Sequence, residues 1–151
     1  MMEILVVLGI IALDRLTKMA AVTKLAPIGS VAIWQDVFHL SFFTNTGAAF
    51  SILSGKTQLL GFLSVFVSVC LIGYLARYRK TLSTISRLGL AFILGGAIGN
   101  GVDRLLYGAV VDFFDFRLIR FAIFNVADSF ITVGTGLLIL GVIFYDKEFL
   151  R

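Results

Sequence analysis

Asn100-Gly101-Val102-Asp103-Arg104 and Asn125-Val126-Ala127-Asp128 decide how this chain is read. The first closes one long apolar run, and the second opens the next. Both carry the spacing Asn-x-x-Asp, and residues three apart on a helix share a face. Each run therefore presents an amide and a carboxylate side by side. Carboxylates set in lipid-facing sequence are costly to keep there and mark functional sites. The remaining sequence reads as the scaffold that brings Asp103 and Asp128 together.

Working outward, the runs themselves point to a membrane protein. Hydrophobic residues make up 59% of the 151 residues and charged residues 15%, where soluble domains carry about 25% charged residues. Mean hydropathy is +1.01. The net charge of +4 comes without a long basic run, so no nucleic-acid partner is expected. One His and one Cys cannot supply the usual His/Cys zinc set, and neither a metal nor another cofactor is expected.

Spanning helices are predicted over about 4–22, 57–76, 88–104 and 126–145. Residues 4–22 would span roughly 28 Å at about 1.5 Å per residue. Met1-Met2-Glu3 lacks a positive n-region, so a cleaved signal peptide is not expected. Asp14 and Lys18 stand four apart in the favourable order for a helical ion pair, and snorkelling is the plain alternative for this cluster. Gly95 and Gly99 form a small-xxx-small pair that lets helices approach closely.

Two stretches are predicted to lie on the surface. In 31–54, Phe38, Leu40 and Phe42 alternate with His39 and Ser41, the period of a half-buried strand. His39 reads as a packing or solvated residue, and Asn45 as a turn asparagine. In 105–123, Val110-Val111-Asp112-Phe113 reads as a strand, and Arg117-Leu118-Ile119-Arg120-Phe121 as an amphipathic surface piece. The loop from Arg77 to Arg87 holds four cations and no acid, which places it on the cytoplasmic side. Both surface stretches then lie outside, with Asp14, Asp103 and Asp128 at one level. The fold class is a membrane all-α core, a four-transmembrane-helix bundle, with a small extracytoplasmic sheet and a surface loop or helix, as one polytopic domain over 1–151.

From the residues alone, three functions compete. A hydrolase would use two close carboxylates that share one proton. A small proton-coupled transporter would use Asp14, Asp103 and Asp128 as a relay, but residues 57–76 hold no charge. A structural subunit would use the Asp residues as helix caps, which suits Asp128 near a helix start and not Asp103 near a helix end.

Five stretches in order carry a resemblance: DRLTK at 14–18, NTGAAF at 45–50, GGAIGNGVDR at 95–104, VVDFFDF at 110–116 and FNVADSFI at 124–131. Together they resemble the signal peptidase II, or lipoprotein signal peptidase, family over almost the whole chain. The resemblance implies an intramembrane aspartic endopeptidase of the bacterial cytoplasmic membrane, with its site on the extracytoplasmic side. It implies cleavage of diacylglyceryl-modified prolipoproteins just before the lipidated cysteine. It also implies Asp103 and Asp128 as the catalytic dyad, with Asp14, Asn45, Asn100, Arg104, Asn125 and Ala127 around it. The surface sheet matches a cradle and the 105–123 excursion a flap. Lipids are the expected surroundings, and a monomer is the expected state. Asp112 and Asp115 are the next carboxylates to consider should either dyad member prove dispensable.

Overall fold

The computed structural model describes residues 1–48 and 52–146. Its elements are α1 (Met2–Ala20), β1 (Ser30–Trp34), β2 (Phe38–Asn45), α2 (Thr57–Tyr78), α3 (Thr84–Tyr107), β3 (Val110–Asp115) and α4 (Val126–Phe144). A π-helical turn, Ala21–Leu25, extends α1 before Pro27 ends it. The expected NTGAAF stretch falls partly outside the described residues.

Helix α3 is the centre of the bundle and packs against α1, α2 and α4. Glycine makes this possible on both flanks. A Cβ at Gly95 would come 2.9 Å from Ile10 on α1, and one at Gly96 would collide with the Ala127 carbonyl on α4. The expected small-residue packing is therefore present, and Gly96 joins it. Helix α3 is longer than the expected 88–104. Ser83 caps its start by accepting from the Ser86 N–H, and Gly108 ends it at φ 70°. Asp103 accordingly lies one turn inside the helix, not at its end.

Among the described residues, three helices, α2, α3 and α4, are long and apolar enough to cross a membrane. Helix α1 matches α4 in length at 19 residues, but Asp14, Arg15 and Lys18 interrupt it. Helix α2 turns Phe62, Phe66 and Val69 outward, and few of its side chains are buried. An apolar helix that is mostly exposed in an isolated chain has the surface of a lipid-facing span.

The two surface excursions share one sheet. The order is β1-β2-β3, antiparallel throughout. The register pairs His39 with Asp115 and Asn45 with Val110. The expected alternation in β2 is present, but its more deeply buried face is the polar one, with His39 and Ser41. Ser41 Oγ donates to Asp115 at 2.7 Å, and Ser30 Oγ bonds Ser41 Oγ at 2.8 Å. Those partners satisfy polar groups that burial would otherwise penalise. His39 is a packing residue whose Nδ1 lies 3.3 Å from Ser30 Oγ. The opposite face packs Leu40 and Phe42 on a core of Ala21, Leu25, Phe113 and Val126. Residues 117–120 form a turn, not an amphipathic helix. Phe116 stacks on Phe124 across that turn, with centroids 5.8 Å apart.

Candidate active site

Helix α4 begins with a reciprocal cap. The Asn125 side chain accepts from the Asp128 N–H at 3.0 Å, and the Asp128 carboxylate accepts from the Asn125 N–H at 3.2 Å. Such a box satisfies two orphan donors at a helix start, and the helix dipole favours the negative charge. It also fixes Asn125 with its oxygen toward the helix. The Asn125 amide nitrogen must then face outward, and it donates to Asp112 Oδ1 at 2.7 Å.

Asp112 comes from β3. Its other oxygen accepts from Asn45 Nδ2 at 3.0 Å. Asn45 is itself oriented by its turn, since its Oδ1 accepts from the Gly47 N–H at 2.9 Å. Asn45 is thus both the expected turn residue and a carboxylate holder. Burial pushes Asp112 up to about 6, and the charge of Asp128 pushes it the same way. The amides of Asn45 and Asn125 oppose both.

Asp112 and Asp128 line one cavity of about 490 Å³, together with Asn45, Arg104 and Phe124. Arg104 donates to the Gly47 carbonyl at 3.1 Å, which ties α3 to the β2 turn. Its lining also includes the apolar side chains of Phe121, Ile131 and Val133.

Asp103 lies elsewhere. Its Oδ2 forms an ion pair with Lys18 Nζ at 2.6 Å, and its Oδ1 takes a long contact of 3.5 Å from Arg15. It lines a second cavity, of about 470 Å³, with Arg15, Lys18 and Tyr107. Asp103 and Asp128, the dyad expected from the resemblance, line different cavities, and the Lys18 cation stands beside Asp103. The face-sharing argument for Asn100 and Asp103 does hold, but the group both reach is Lys18. Asn100 Oδ1 accepts from Lys18 Nζ at 2.8 Å, and Asn100 Nδ2 donates to Asp128 Oδ1 at 2.8 Å.

Lys18 does not snorkel. It is 2% exposed and also donates to Asp14 at 2.7 Å, the i,i+4 pair expected from the sequence. Asp14 in turn accepts from the Ala127 N–H at 3.0 Å. Ala127 is fully buried, and Gly99 leaves the space beside it, since a Cβ there would lie 2.8 Å from Asp14 Oδ2. Asp14, Asn100, Asn125 and Ala127 thus join one network around Asp128, with Asn45 and Arg104 on its far side. Asp112, expected only as a reserve carboxylate, joins Asp128 at the first cavity. Its signal was the VVDFFDF stretch, whose alternation puts Asp112 on the face opposite Val111.

Among the described residues, no group of three His, Cys, Asp or Glu side chains is placed to hold a metal ion. At the first cavity, carboxylates are held by amide donors.

Comparison with known proteins gives the family. The family model described as signal peptidase (SPase) II matches residues 6–144. A lipoprotein signal peptidase of Gloeobacter violaceus is 47% identical over 133 residues, covering 88% of this chain and 76% of that one. One from Clostridioides difficile is 36% identical over 148 residues, covering 98% and 99%. A bacterial membrane enzyme solved by the in meso method superposes with a TM-score of 0.82 at 29% identity, covering 94% of this chain and 87% of its own. The match runs through every helix and all three strands, and the chain belongs to the signal peptidase II family.

Proposed function

We propose that this protein is an intramembrane aspartic endopeptidase whose dyad is Asp112 and Asp128. Its family supports cleavage of signal peptides from lipoproteins. The observation that carries the dyad is Asn125, which bonds both carboxylates: its side chain reaches Asp112 at 2.7 Å and its backbone reaches Asp128 at 3.2 Å. Two carboxylates this close cannot both ionise cheaply, so one proton is shared between them. The ionised member takes a proton from water, and the resulting hydroxide adds to the scissile carbonyl carbon. The protonated member donates to the carbonyl oxygen. Collapse of the tetrahedral adduct breaks the C–N bond, and the proton taken from water passes to the leaving amine. The catalyst ends with one proton on the pair, as it began.

The substrate is a prolipoprotein carrying a diacylglyceryl-modified cysteine, cut just before that residue. The cavity lining supports the fit: beside the two carboxylates it carries the apolar side chains of Phe121, Ile131 and Val133. Asn45 and Arg104 line the same cavity and orient the substrate there.

The chain forms one polytopic domain in which α1 is a fourth span. The inward burial of Asp14 and Lys18 supports this, because their charges face each other and not lipid. The site lies on the extracytoplasmic side of the bacterial cytoplasmic membrane, opposite the basic loop from Arg77 to Arg87. Membrane lipids surround the helices, and the protein acts as a monomer. The transporter alternative lacks support: Asp14, Asp103 and Asp128 meet in one cluster around Lys18 and Asn100 rather than forming a ladder.

Purified variants acting on a lipidated prolipoprotein test the assignment. Asp112→Asn and Asp128→Asn should each abolish cleavage while the protein stays folded. Turnover by either one would move the dyad elsewhere.

A further inference from the structure

Lys18 carries only donors, and three acceptors surround it within 2.8 Å: Asp14 Oδ2, Asp103 Oδ2 and Asn100 Oδ1. Two of them are carboxylates that already balance its charge. The third is a neutral amide that charge balance does not require. An ammonium cannot accept a hydrogen bond, so it permits one orientation of Asn100. The oxygen must face Lys18, and the amide nitrogen must face Asp128. Asn125 reinforces the choice, because its amide nitrogen also donates to Asn100 Oδ1, at 3.1 Å.

Building on the Asp112–Asp128 dyad, we propose that Lys18 is a positioning residue: through the Asn100 amide it holds Asp128 as the ionised general base and leaves the shared proton on Asp112.

The two carboxylates differ in what stabilises a negative charge on them. Asp128 receives the Asn100 amide, the backbone N–H of Asn125 and the start of α4 with its dipole. Asp112 sits on a strand, where no such dipole exists, and receives two neutral side-chain amides. Hydrogen bonds to the charged form favour it, and the stronger set belongs to Asp128. A flipped Asn100 would turn a carbonyl oxygen toward the Asp128 carboxylate and reverse that preference. Lys18 forbids the flip. The charged and titratable groups around the pair are Lys18 from α1, its ion-pair partners Asp14 and Asp103, and Arg104 from α3, which lines the same cavity. The polar amides are Asn45 from β2, Asn100 from α3 and Asn125 at the start of α4.

The test is the pH dependence of cleavage of a lipidated prolipoprotein by Lys18→Met and Asn100→Ala in detergent. With Lys18 replaced, the base should ionise at higher pH. The acid limb of kcat should then move up by about one pH unit, so that kcat at a pH on that limb falls roughly tenfold. KM should change little, since neither residue lines the cavity that takes the substrate. Lys18→Met also strips Asp14 and Asp103 of their cation, which threatens folding. Asn100→Ala keeps the Lys18, Asp14 and Asp103 ion pairs and removes the link together with the Asn125 contact to Asn100, so it should show the same shift of the acid limb in a folded protein. An unchanged acid limb in Asn100→Ala, with Asp112→Asn and Asp128→Asn inactive, would overturn the role of Lys18 and leave the dyad standing. Activity in either Asp→Asn control would overturn the dyad, and this assignment with it.

Discussion

Replacing Asp112 by Asn should change the stability of the protein in a pH-dependent way whose size follows from the structure. Burial, and then the charge of Asp128, hold the Asp112 carboxyl at about 6, against an ordinary value of 3.8. Below about 3.8 the group is protonated in both the native and the unfolded chain and contributes nothing to pH dependence. Between 3.8 and 6 the unfolded chain releases its proton and the native protein does not, so native stability falls as pH rises. Above 6 the loss is complete. A difference of about two between the values, at about 1.4 kcal/mol each, makes the loss about 3 kcal/mol. Asn at this position does not titrate and has no such loss. The stability of Asp112→Asn relative to the parent should therefore rise by about 3 kcal/mol between pH 3.8 and pH 6.5, whatever the offset from its altered hydrogen bonds. In an Asp128→Asn background the rise should shrink, because one of the two causes has been removed. Unfolding of detergent-solubilised protein across this pH range measures it, with parent, both single variants and the double variant. A flat difference between parent and Asp112→Asn would refute the claim that Asp112 is held protonated by its site.

Three further outcomes follow from other contacts. Gly96→Ala would drive a Cβ into the Ala127 carbonyl and to 2.7 Å from Ile131 Cγ1; it should cost about 1–3 kcal/mol and lower turnover by shifting the start of α4, read by melting and cleavage together. Asp146 accepts from the Ser83 N–H at 2.8 Å and from the Ser83 and Ser86 hydroxyls, so Asp146→Ala should destabilise the fold by about 1–3 kcal/mol with turnover per folded molecule unchanged. In a Cys70→Ser background, Lys56→Cys should react with an impermeant thiol reagent in intact cells and Lys80→Cys should not; the reverse pattern would invert the topology.

The helices were legible because apolar runs and their charged boundaries are local properties. Residues 57–76 contain no ionisable group but Cys70 and Tyr74, and the structure gives α2 as Thr57–Tyr78. The sheet was legible only in pieces. Alternation marked 31–54 and Val110–Phe113 separately, but their union depends on pairing across more than sixty residues, as Asn45 with Val110, which no local pattern encodes. The dyad shows the same limit more sharply. Asn100 and Asp103 have the same spacing as Asn125 and Asp128, so Asp103 looked like the counterpart of Asp128. Only the second pair is a helix cap. The first lies inside α3, where its shared face meets Lys18. The i,i+4 relation of Asp14 and Lys18 was visible in the chain, while the third-helix partners that bury Lys18 were not. Asp112 lies in a strand, where its i,i+3 spacing to Asp115 has no helical meaning, and its place beside Asp128 depends on β3 pairing with β2.

The most direct test compares cleavage of a lipidated prolipoprotein by Asp103→Asn, Asp112→Asn and Asp128→Asn, each checked for folding. Asp103→Asn leaves Lys18 with Asp14 and Asn100 as partners, so it should be less stable yet retain measurable turnover. Asp112→Asn should retain none, and neither should Asp128→Asn. A folded Asp112→Asn that cleaves, beside a folded Asp103→Asn that does not, would contradict the account and return the catalytic role to Asp103.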